Sequence, residues 1–421
     1  MSAKRIAPPV VRHARASSFS DWRARLDRVR IDPVVAIVGT RGKTSALRVF
    51  ESILLADDIR FATWTDAGVE IEGQHQRGEL GPWSRALTRL RAGGLDIALQ
   101  EVDWPTVPVL GPPNGLFPLV AVTNLCANSE ACLITPEMLQ AKQALARLRE
   151  NIAANGCLVV NADDFAVADG DATAHERFLF GLSPDTPILR RHIASGGSAC
   201  WVDKGVVSSQ VRGDAQRIVH VDELLWTRNG TIGFAVQNAL LATAIACVCG
   251  ISSTSIAAGL KSHRAIAERT PGAFNIYETH AGTVIIDVPA SSWFLRSTVR
   301  ALSGFGASRQ IRIAGPMLNV ATDDLDDVGR LLGRGGGVLI LHGVWDAARL
   351  NAVRQGAAST EVPPLVIQAV DERSAVQQGL AMLRADDIML ILAEQPSAVV
   401  KLVDRRLRRR DRPLLRAPGA A

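Results

Sequence analysis

The stretch VVAIVGTRGKTSALRVF, Val34–Phe50, decides the fold that we expect for this chain of 421 residues. Five apolar residues predict a buried strand at Val34–Val38, and Gly-Thr-Arg-Gly-Lys-Thr follows directly. Apolar residues then recur at helical spacing, which predicts an amphipathic helix that begins near Lys43. A strand, a glycine-containing turn and a helix N-terminus in this order are typical of a phosphate-binding loop, and a chance Gly-rich turn is the alternative.

The residue types in this turn suit a polyphosphate with a divalent cation. The turn would gather backbone N–H groups around one point, with the positive end of the helix dipole behind them. Lys43 would reach the β- and γ-phosphates, and the Thr44 hydroxyl would hold Mg²⁺. Ile37 stands where the general pattern has its first glycine, so this is a short form of the loop. The predicted phosphate-binding residues are Gly39, Thr40, Arg41, Gly42, Lys43, Thr44 and Ser45.

Composition predicts at least two cores and no membrane span. The chain has 47% apolar residues, and single cores rarely grow beyond about 250–300 residues. No apolar run approaches the roughly 18 residues that a bilayer crossing needs. The six cysteines show neither CxxC nor Cys/His metal spacing, so we expect structural thiols in a cytoplasmic protein. The basic, acid-poor segment Met1–Arg30 faintly resembles a transit peptide.

The positive net charge of the chain comes from its two ends. Residues 1–30 and 401–421 each carry +6 against a total of +5, which leaves −7 for the segment between them. Neither end has interleaved aromatic residues or a recognition motif, so we expect solvated ends and no nucleic-acid partner.

Alternating strand and helix patterns predict an α/β fold with mostly parallel sheets. In the first part, a helix is expected from the Thr135 cap to a Gly156 terminator, and another from about Asn238 to Gly250. After Pro271-Gly272 a second alternating array predicts a smaller, Rossmann-like doubly wound domain. The predicted strands lie at 34–38, 97–102, 119–123, 158–161, 283–287, 311–314, 338–341, 364–367 and 388–392.

Gly-Thr-x-Gly-Lys-[Ser/Thr] after an apolar strand resembles the Mur ligase superfamily, in which ATP phosphorylates a carboxylate and an amine displaces the phosphate. Three further segments resemble the Mur-like half of cyanophycin synthetases, namely TWTDAGVEIEG (63–73), LDIALQEV (95–102) and TPGAFNIYETHAGTVIID (270–287). The resemblance implies a basic N-terminal extension (1–31), a central ATP-binding domain (32–268) and a C-terminal Rossmann-like domain (269–421).

By position, the resemblance implies that Lys43 and Thr44 handle the phosphates and Mg²⁺ of ATP, and that Glu101 supports the metal. Lys142 falls where the family has a carbamylated lysine that helps to hold a second Mg²⁺. The alternatives from the residues alone are a solvent-facing carboxylate for Glu101 and an ordinary surface lysine for Lys142.

Two more residues take roles from the resemblance. Asn238 matches the residue that hydrogen-bonds the adenine, and a helix cap is its alternative. Asp287, at the end of a predicted strand, matches the aspartate of the family's Asp-Tyr-Ala-His-Asn-Pro motif, with a turn residue as the alternative.

Four family positions have lost their polar group in this chain. Ser129 lies near the expected metal-binding histidine, Phe234 and Ala235 replace His-Asn, Ala273 replaces an arginine, and Val288–Ser292 replaces His-Asn-Pro. These changes put the second Mg²⁺ in question, and they remove cations that would balance an acyl-phosphate path. Candidate replacements for the lost arginine are Arg264, Arg269 and Arg296.

Three functions are compatible with these residues. We favour an ATP-dependent, ADP-forming ligase that joins an amino acid or amine to a small or peptide-like carboxylate, because Lys43, Thr44, Glu101 and Lys142 occur together. The second is a weakly catalytic or non-catalytic nucleotide-binding partner subunit of an active ligase, and a homo-oligomer is also open. A P-loop kinase or GTPase is the third, and the short loop and second α/β domain argue against it.

Overall fold

The structure is a computed structural model that describes residues 18–110, 115–168 and 175–410. Within these residues the chain forms one 11-stranded sheet and one 6-stranded sheet, each with helices packed on both faces. The predicted α/β class, with a mostly parallel first sheet and a smaller Rossmann-like second sheet, is confirmed. Of the basic ends, residues 1–17 and 411–421 lie outside the described residues.

The first unit, as we call the larger sheet with its helices, extends to residue 262. Its sheet has the order β11-β10-β9-β8-β7-β6-β1-β5-β2-β3-β4, in which β2, β5, β1, β6, β7, β8 and β9 are parallel. Its strands are β1 Val34–Val38, β2 Phe61–Thr65, β3 Gly68–Ile71, β4 Gln74–His75, β5 Ile97–Val102, β6 Phe117–Val122, β7 Ile152–Asn161, β8 Glu176–Gly181, β9 Ser198–Asp203, β10 Val206–Val211 and β11 Asp214–His220. Its helices are α1 Phe19–Val29, α2 Lys43–Ala56, α3 Leu80–Arg91, α4 Thr106–Leu110, α5 Glu130–Leu133, α6 Pro136–Glu150, α7 Phe165–Ala168, α8 Pro187–Ala194, α9 Gly233–Val248 and α10 Ser253–Ser262, with 3₁₀ turns at Val221–Glu223 and Leu225–Thr227.

Strand β1 lies inside this sheet and is buried along its whole length. Its side chains alternate, so that Val35 and Ile37 join the core under α2, α9 and α10, whereas Val34, Ala36 and Val38 join the core under α3 and α6. Parallel neighbours β5 and β6 flank β1, and their carboxyl ends therefore meet at the loop that follows β1. This is where open α/β sheets bind ligands.

The second unit has the sheet order β12-β13-β17-β14-β15-β16, in which only the edge strand β12 is antiparallel. Helices α11–α13 cover one face, and α14 and α15 cover the other. Its elements are β12 Asn275–Thr279, β13 Gly282–Asp287, α11 Ser292–Ser303, β14 Arg309–Ala314, α12 Leu325–Gly333, β15 Val338–His342, α13 Ala347–Ala358, β16 Leu365–Ala369, α14 Glu372–Met382, β17 Asp387–Leu392 and α15 Pro396–Arg410, with a 3₁₀ turn at Thr322–Asp324.

Two predicted helix boundaries are wrong. Helix α6 ends at Glu150, and Ile152 begins β7 because it pairs with Phe117 of β6. Gly156 is therefore a strand residue and not a helix terminator, and a Cβ there would lie 3.0 Å from the Pro118 carbonyl oxygen of the neighbouring strand. Helix α9 begins at Gly233, five residues before the predicted start, which places Asn238 inside the helix.

The two units contact each other through side chains around α9 and α11. Phe234 and Ala235 of α9 pack with the core of the second unit, and Trp293 of α11 packs against a core of the first unit. At the other end of the first unit, Trp22 of α1 is buried in the core under α2. Among the described residues, none of the helices combines the length and the apolar character that a membrane crossing requires.

Candidate active site

The loop after β1 has the close-packed backbone that a phosphate cradle needs. Gly39 has φ +142°, and a Cβ there would lie 1.8 Å from the Thr123 hydroxyl oxygen at the end of β6. Gly42 has φ +84°, and a Cβ there would lie 2.7 Å from Oδ1 of Asn238. Both positions therefore exclude a side chain, by conformation and by space. No side chain caps the first turn of α2 within the described residues, so its N–H groups stay available for an anion.

The side chain of Asn124 fixes the middle of this loop. Its Oδ1 accepts the N–H of Arg41 at 3.1 Å, and its Nδ2 donates to the Arg41 carbonyl at 3.0 Å. Thr40 is held next to it, because its N–H donates to the Asn124 carbonyl at 3.0 Å and its hydroxyl donates to the Leu125 carbonyl at 3.1 Å. Hydrogen bonds within the protein thus hold the loop in place without a bound ligand.

The first two residues of α2 point at acidic groups. The Thr44 hydroxyl donates to Glu101, 2.9 Å from Oε2, and the Lys43 ammonium lies 3.5 Å from Oε1 of Glu101 and 3.1 Å from Oδ1 of Asp103. Burial opposes the charge on Lys43, but Glu101 and Asp103 outweigh it and raise the pKa of the ammonium group. The Glu101 side chain is only 3% exposed, so it is not a solvent-facing carboxylate.

Three carboxylates form a cluster beside Thr44, and two of them were not predicted. Asp66 follows β2, Glu101 ends β5 and Asp103 follows it, and one oxygen of each lies within 4.8 Å of the others. Burial is the main reason that the pKa values of Asp66 and Glu101 are raised, in spite of the opposing charge of Lys43. A divalent cation would supply the missing positive charge, and carboxylate and hydroxyl oxygens are the donors that Mg²⁺ prefers.

A cavity of about 1010 Å³ opens from the loop and extends between the two units. Its volume is that of a large ligand site. The predicted site residues Thr40–Ser45, Glu101, Asn238 and Asp287 all line it, together with Asp66 and Asn124. The structure therefore brings together nearly all the residues proposed from the sequence, although their roles remain predictions.

The second unit contributes Asp287 to the cavity. Its Oδ1 lies 2.7 Å from Nη2 of Arg41 in the phosphate loop and also accepts the Val288 N–H at 2.9 Å. Its Oδ2 accepts the Thr298 hydroxyl at 2.8 Å. The Asp287 side chain is 4% exposed, so it is a buried interdomain partner of the loop rather than an ordinary turn residue.

Two of the candidate replacement arginines line the cavity but have other partners. Arg269 pairs with Glu51 at 2.9 Å and with Glu70, and both carboxylates also pair with the buried Arg48 at 2.6 Å. Burial opposes ionisation of Glu70, but Arg48 and Arg269 outweigh it and lower its pKa. Arg264 donates to the carbonyls of Lys261 and His263, and Arg296 is exposed on α11.

Aromatic side chains also line the cavity. Phe234 and Phe274 meet edge to face with centroids 5.1 Å apart, and His263 meets Trp226 in the same way at 4.8 Å. Nδ1 of His263 lies 2.9 Å from the Ser52 hydroxyl, and burial lowers the pKa of this imidazole to about 4. Asn238 lies beside Gly42 of the phosphate loop and inside α9, so its alternative role as a helix cap is wrong.

The segment after β6 corrects the expectation of free thiols. Cys126 and Cys132 form a disulfide, whereas the other four cysteines are free. Left-handed Ala127 and Asn128 turn the chain back, which brings the two Cα atoms within 5.6 Å. Asp164 holds the same turn, because its Oδ2 accepts three consecutive N–H groups at 2.7–3.0 Å, those of Leu125, Cys126 and Ala127.

Lys142 lies apart from the other predicted residues. It is exposed on α6 and is not among the residues that line the cavity. Ser129, which occupies the region of the missing histidine, caps α5 through the Cys132 N–H at 3.4 Å. Within residues 18–110, 115–168 and 175–410 the geometry therefore provides for one metal position, at Thr44 and the three carboxylates, and the second position stays a prediction.

Comparison with known proteins agrees with the two-sheet fold. No family model matches the chain. A cyanophycin synthetase from Trichormus variabilis is 26% identical over 388 residues, which cover 88% of this chain and 42% of that protein. The structure superposes on MurF from Acinetobacter baumannii with a TM-score of 0.60, at 16% identity over 93% of this chain and 79% of MurF. It superposes on E. coli FolC, solved with ADP, with a TM-score of 0.61, at 15% identity over 92% and 93% of the two chains.

The chain is similar in sequence to cyanophycin synthetases and to a UDP-N-acetylmuramate–L-alanine ligase from Bordetella petrii, which agrees with the resemblance to the Mur ligase superfamily. The similarity to cyanophycin synthetases extends over most of this chain, but the chain spans less than half the length of those relatives. The structural neighbours, at 15–16% identity, show the fold alone.

Proposed function

We propose that this chain is an ATP-dependent ligase that forms an amide bond between a carboxylate substrate and an amino acid or amine. The observation that carries the proposal is the arrangement around the phosphate loop. Lys43 and Thr44 converge with Asp66, Glu101 and Asp103 at one end of a cavity between two α/β units. The names of its relatives support ligase chemistry in general.

The residues fit ATP with Mg²⁺. Gly39 and Gly42 let the turn pack closely against Thr123 and Asn238, and the aromatic side chains that line the cavity can accept the adenine. Thr44, Asp66, Glu101 and Asp103 would hold the cation, which neutralises phosphate charge when it is bound.

The proposed reaction has two steps. A substrate carboxylate oxygen attacks the γ-phosphorus of ATP, the bond to the bridging oxygen breaks, and ADP leaves with its electron pair. The amine then attacks the acyl-phosphate carbon, loses a proton, and expels inorganic phosphate to leave the amide. Lys43 and the N–H groups of the loop stabilise the charge that develops on the transferred phosphoryl group, and closure of the two units excludes water that would hydrolyse the intermediate.

A second candidate is a weakly catalytic or non-catalytic partner subunit of an active ligase. Two observations favour it over a fully active enzyme. Lys142 is exposed and away from the cavity, and Ala273 supplies no cation at a position that lines it. In this case the loop would bind nucleotide, and turnover would need another chain.

The experiment that separates these functions is a screen for ADP release. Purified chain is incubated with ATP, Mg²⁺, amino acids and acidic acceptors, alone and with the proteins encoded beside it. We expect ADP and phosphate in equal amounts only when carboxylate and amine are both present. Activity only in company supports the partner subunit, and AMP as the product would exclude the acyl-phosphate route.

A further inference from the structure

Arg41 is placed differently from the other arginines of the cavity. Four other arginines line the cavity, and each has a partner elsewhere in the protein. Arg48 and Arg269 bind the Glu51 and Glu70 carboxylates, Arg228 binds Glu278, and Arg264 binds main-chain carbonyls. Arg41 alone among these five belongs to the phosphate loop itself. Its side chain is 25% exposed, and Asp287 is its carboxylate partner among the described residues.

We propose that the Arg41 guanidinium has two exclusive partners, the Asp287 carboxylate seen in this structure and the terminal phosphates of a nucleotide in the loop. This inference rests on the proposed function and deepens it. The side chain of Arg41, already predicted to bind phosphate, thus has a competitor in Asp287, which ties the phosphate loop to the second unit when no nucleotide is bound. Nucleotide binding then breaks the direct contact of the loop with β13.

The backbone of Arg41 makes the exchange possible without moving the loop. Asn124 holds the Arg41 peptide by both its N–H and its carbonyl, at 3.1 and 3.0 Å. Only the side chain has to turn, and Arg41 stands one residue before Gly42 and two before Lys43. A long guanidinium side chain at this position can reach the phosphates that the loop surrounds.

The contact with Asp287 is of a kind that a polyphosphate can displace. It is a single interaction between Nη2 and Oδ1, whereas phosphate oxygens accept two parallel hydrogen bonds from a guanidinium. The Asp287 carboxylate keeps two hydrogen bonds when Arg41 leaves, from the Val288 N–H and from the Thr298 hydroxyl. Two anions on one guanidinium in a buried site repel each other, which favours exchange over bridging.

The test measures the Kd of ATP, ADP and AMP by calorimetry for four proteins, namely wild type, Arg41→Met, Asp287→Asn and the double variant. We expect Arg41→Met to raise the Kd of ATP about tenfold, because a hydrogen bond to a charged group is lost, and to change the Kd of AMP less than about twofold. Asp287→Asn should lower the Kd of ATP several-fold, because the competitor is gone. In the Arg41→Met background, Asp287→Asn should have no effect.

Whether Asp287→Asn lowers or raises the Kd of ATP decides whether Asp287 competes with the phosphates for Arg41. If Asp287 only fastens the two units around the nucleotide, the variant raises the Kd of ATP, and the inference is overturned. An unchanged Kd also overturns it, as does an Arg41→Met effect of equal size on ATP and AMP. Arg41→Lys, which keeps the charge and loses the fork, should fall between wild type and Arg41→Met.

Controls separate this inference from folding effects and from the proposed function. Arg300→Met removes one positive charge from an exposed position of α11 and should leave the Kd of ATP unchanged. Thermal unfolding of each variant shows whether the fold is intact. If wild type does not bind ATP, the proposed function fails and this inference fails with it, whereas normal ATP binding with an unaffected Asp287→Asn variant overturns only the inference.

Discussion

The carboxyl ends of the parallel strands carry different side chains in the two units. In the first unit, β1, β2 and β5 lead into the phosphate loop and the three carboxylates. In the second unit, β13 ends at the buried Asp287, whereas the segments after β14, β15 and β16 expose Leu318, Val344 and Val370. The same architecture thus concentrates the proposed phosphate and metal ligands in one unit, and the second places Asp287 beside the phosphate loop and closes the cavity.

The largest test of this asymmetry is Lys43→Ala. Lys43 is the ammonium group that the first unit aims at the phosphate position, and one such group in a transition state is typically worth about 100- to 1000-fold in rate. We expect ATP turnover to fall by that factor and thermal unfolding to change little. Turnover is measured as ADP release under the conditions that support wild-type activity.

The matched control is Lys261→Ala, which removes an ammonium group that is 47% exposed and pairs with Glu223 on the surface. It should retain wild-type turnover. Full activity of Lys43→Ala would remove the loop from the mechanism.

The next largest effect concerns the metal, whose proposed ligands all belong to the first unit. Glu101→Gln removes a charged ligand but keeps one oxygen that can accept the Thr44 hydroxyl, so we expect Mn²⁺ affinity in the nucleotide complex to fall about 10- to 100-fold. Electron paramagnetic resonance titration with Mn²⁺ measures both affinity and stoichiometry. Glu72→Gln, which changes an exposed carboxylate, is the control.

Wild type should hold one Mn²⁺ firmly in this titration, because Lys142 is exposed and Ser129 caps a helix. Two tight ions per chain would contradict the single metal position.

A stability test addresses the buried ion network at the junction of the two units. Arg48→Met leaves Glu51 and Glu70 short of a partner in a buried site, and breaking such a pair costs about 3–5 kcal/mol. The free energy of unfolding from urea denaturation measures the loss. Arg89→Met breaks an exposed pair with Glu72 and should cost less than about 1 kcal/mol. If both variants lowered the free energy of unfolding equally, the buried network would stabilise the fold no more than the exposed pair does.

The smallest expected effect is that of the disulfide. Reduction by a dithiol, or the double variant Cys126→Ala/Cys132→Ala, frees a short loop next to Asn124 and should lower the free energy of unfolding by about 2 kcal/mol. Thiol labelling under denaturing conditions should count four reactive cysteines before reduction and six after it. Six before reduction would exclude the disulfide.

The phosphate loop could be predicted from the sequence because its parts are contiguous. Strand β1, the turn and α2 follow one another within 23 residues, so periodicity and glycine spacing specify them together. The second unit was predicted almost strand by strand for the same reason, since its buried strands alternate with helices. The missed edge strand β12 is half-exposed and antiparallel, and it lacks the apolar run by which the others were found.

The rest of the site depends on contacts between distant residues. Thr44 and Glu101 are 57 positions apart, and Arg41 and Asp287 are 246 apart. Asp66 lies in a segment that resembles the family and Asp103 directly follows another, yet nothing local marks them as neighbours of one another. The position of Asn124 against Arg41 depends likewise on the order of β1 and β6 in the sheet, which a single sequence does not specify.

The central claim is that the turn from Gly39 to Thr44 binds the triphosphate of ATP in the cavity between the two units. A crystal structure with a non-hydrolysable ATP analogue and Mg²⁺ tests it most directly. We expect phosphate oxygens within hydrogen-bonding distance of the loop N–H groups and Lys43, with Mg²⁺ at Thr44 and Glu101. If the nucleotide bound elsewhere and contacted neither this turn nor the three carboxylates, the turn would not be the ATP site.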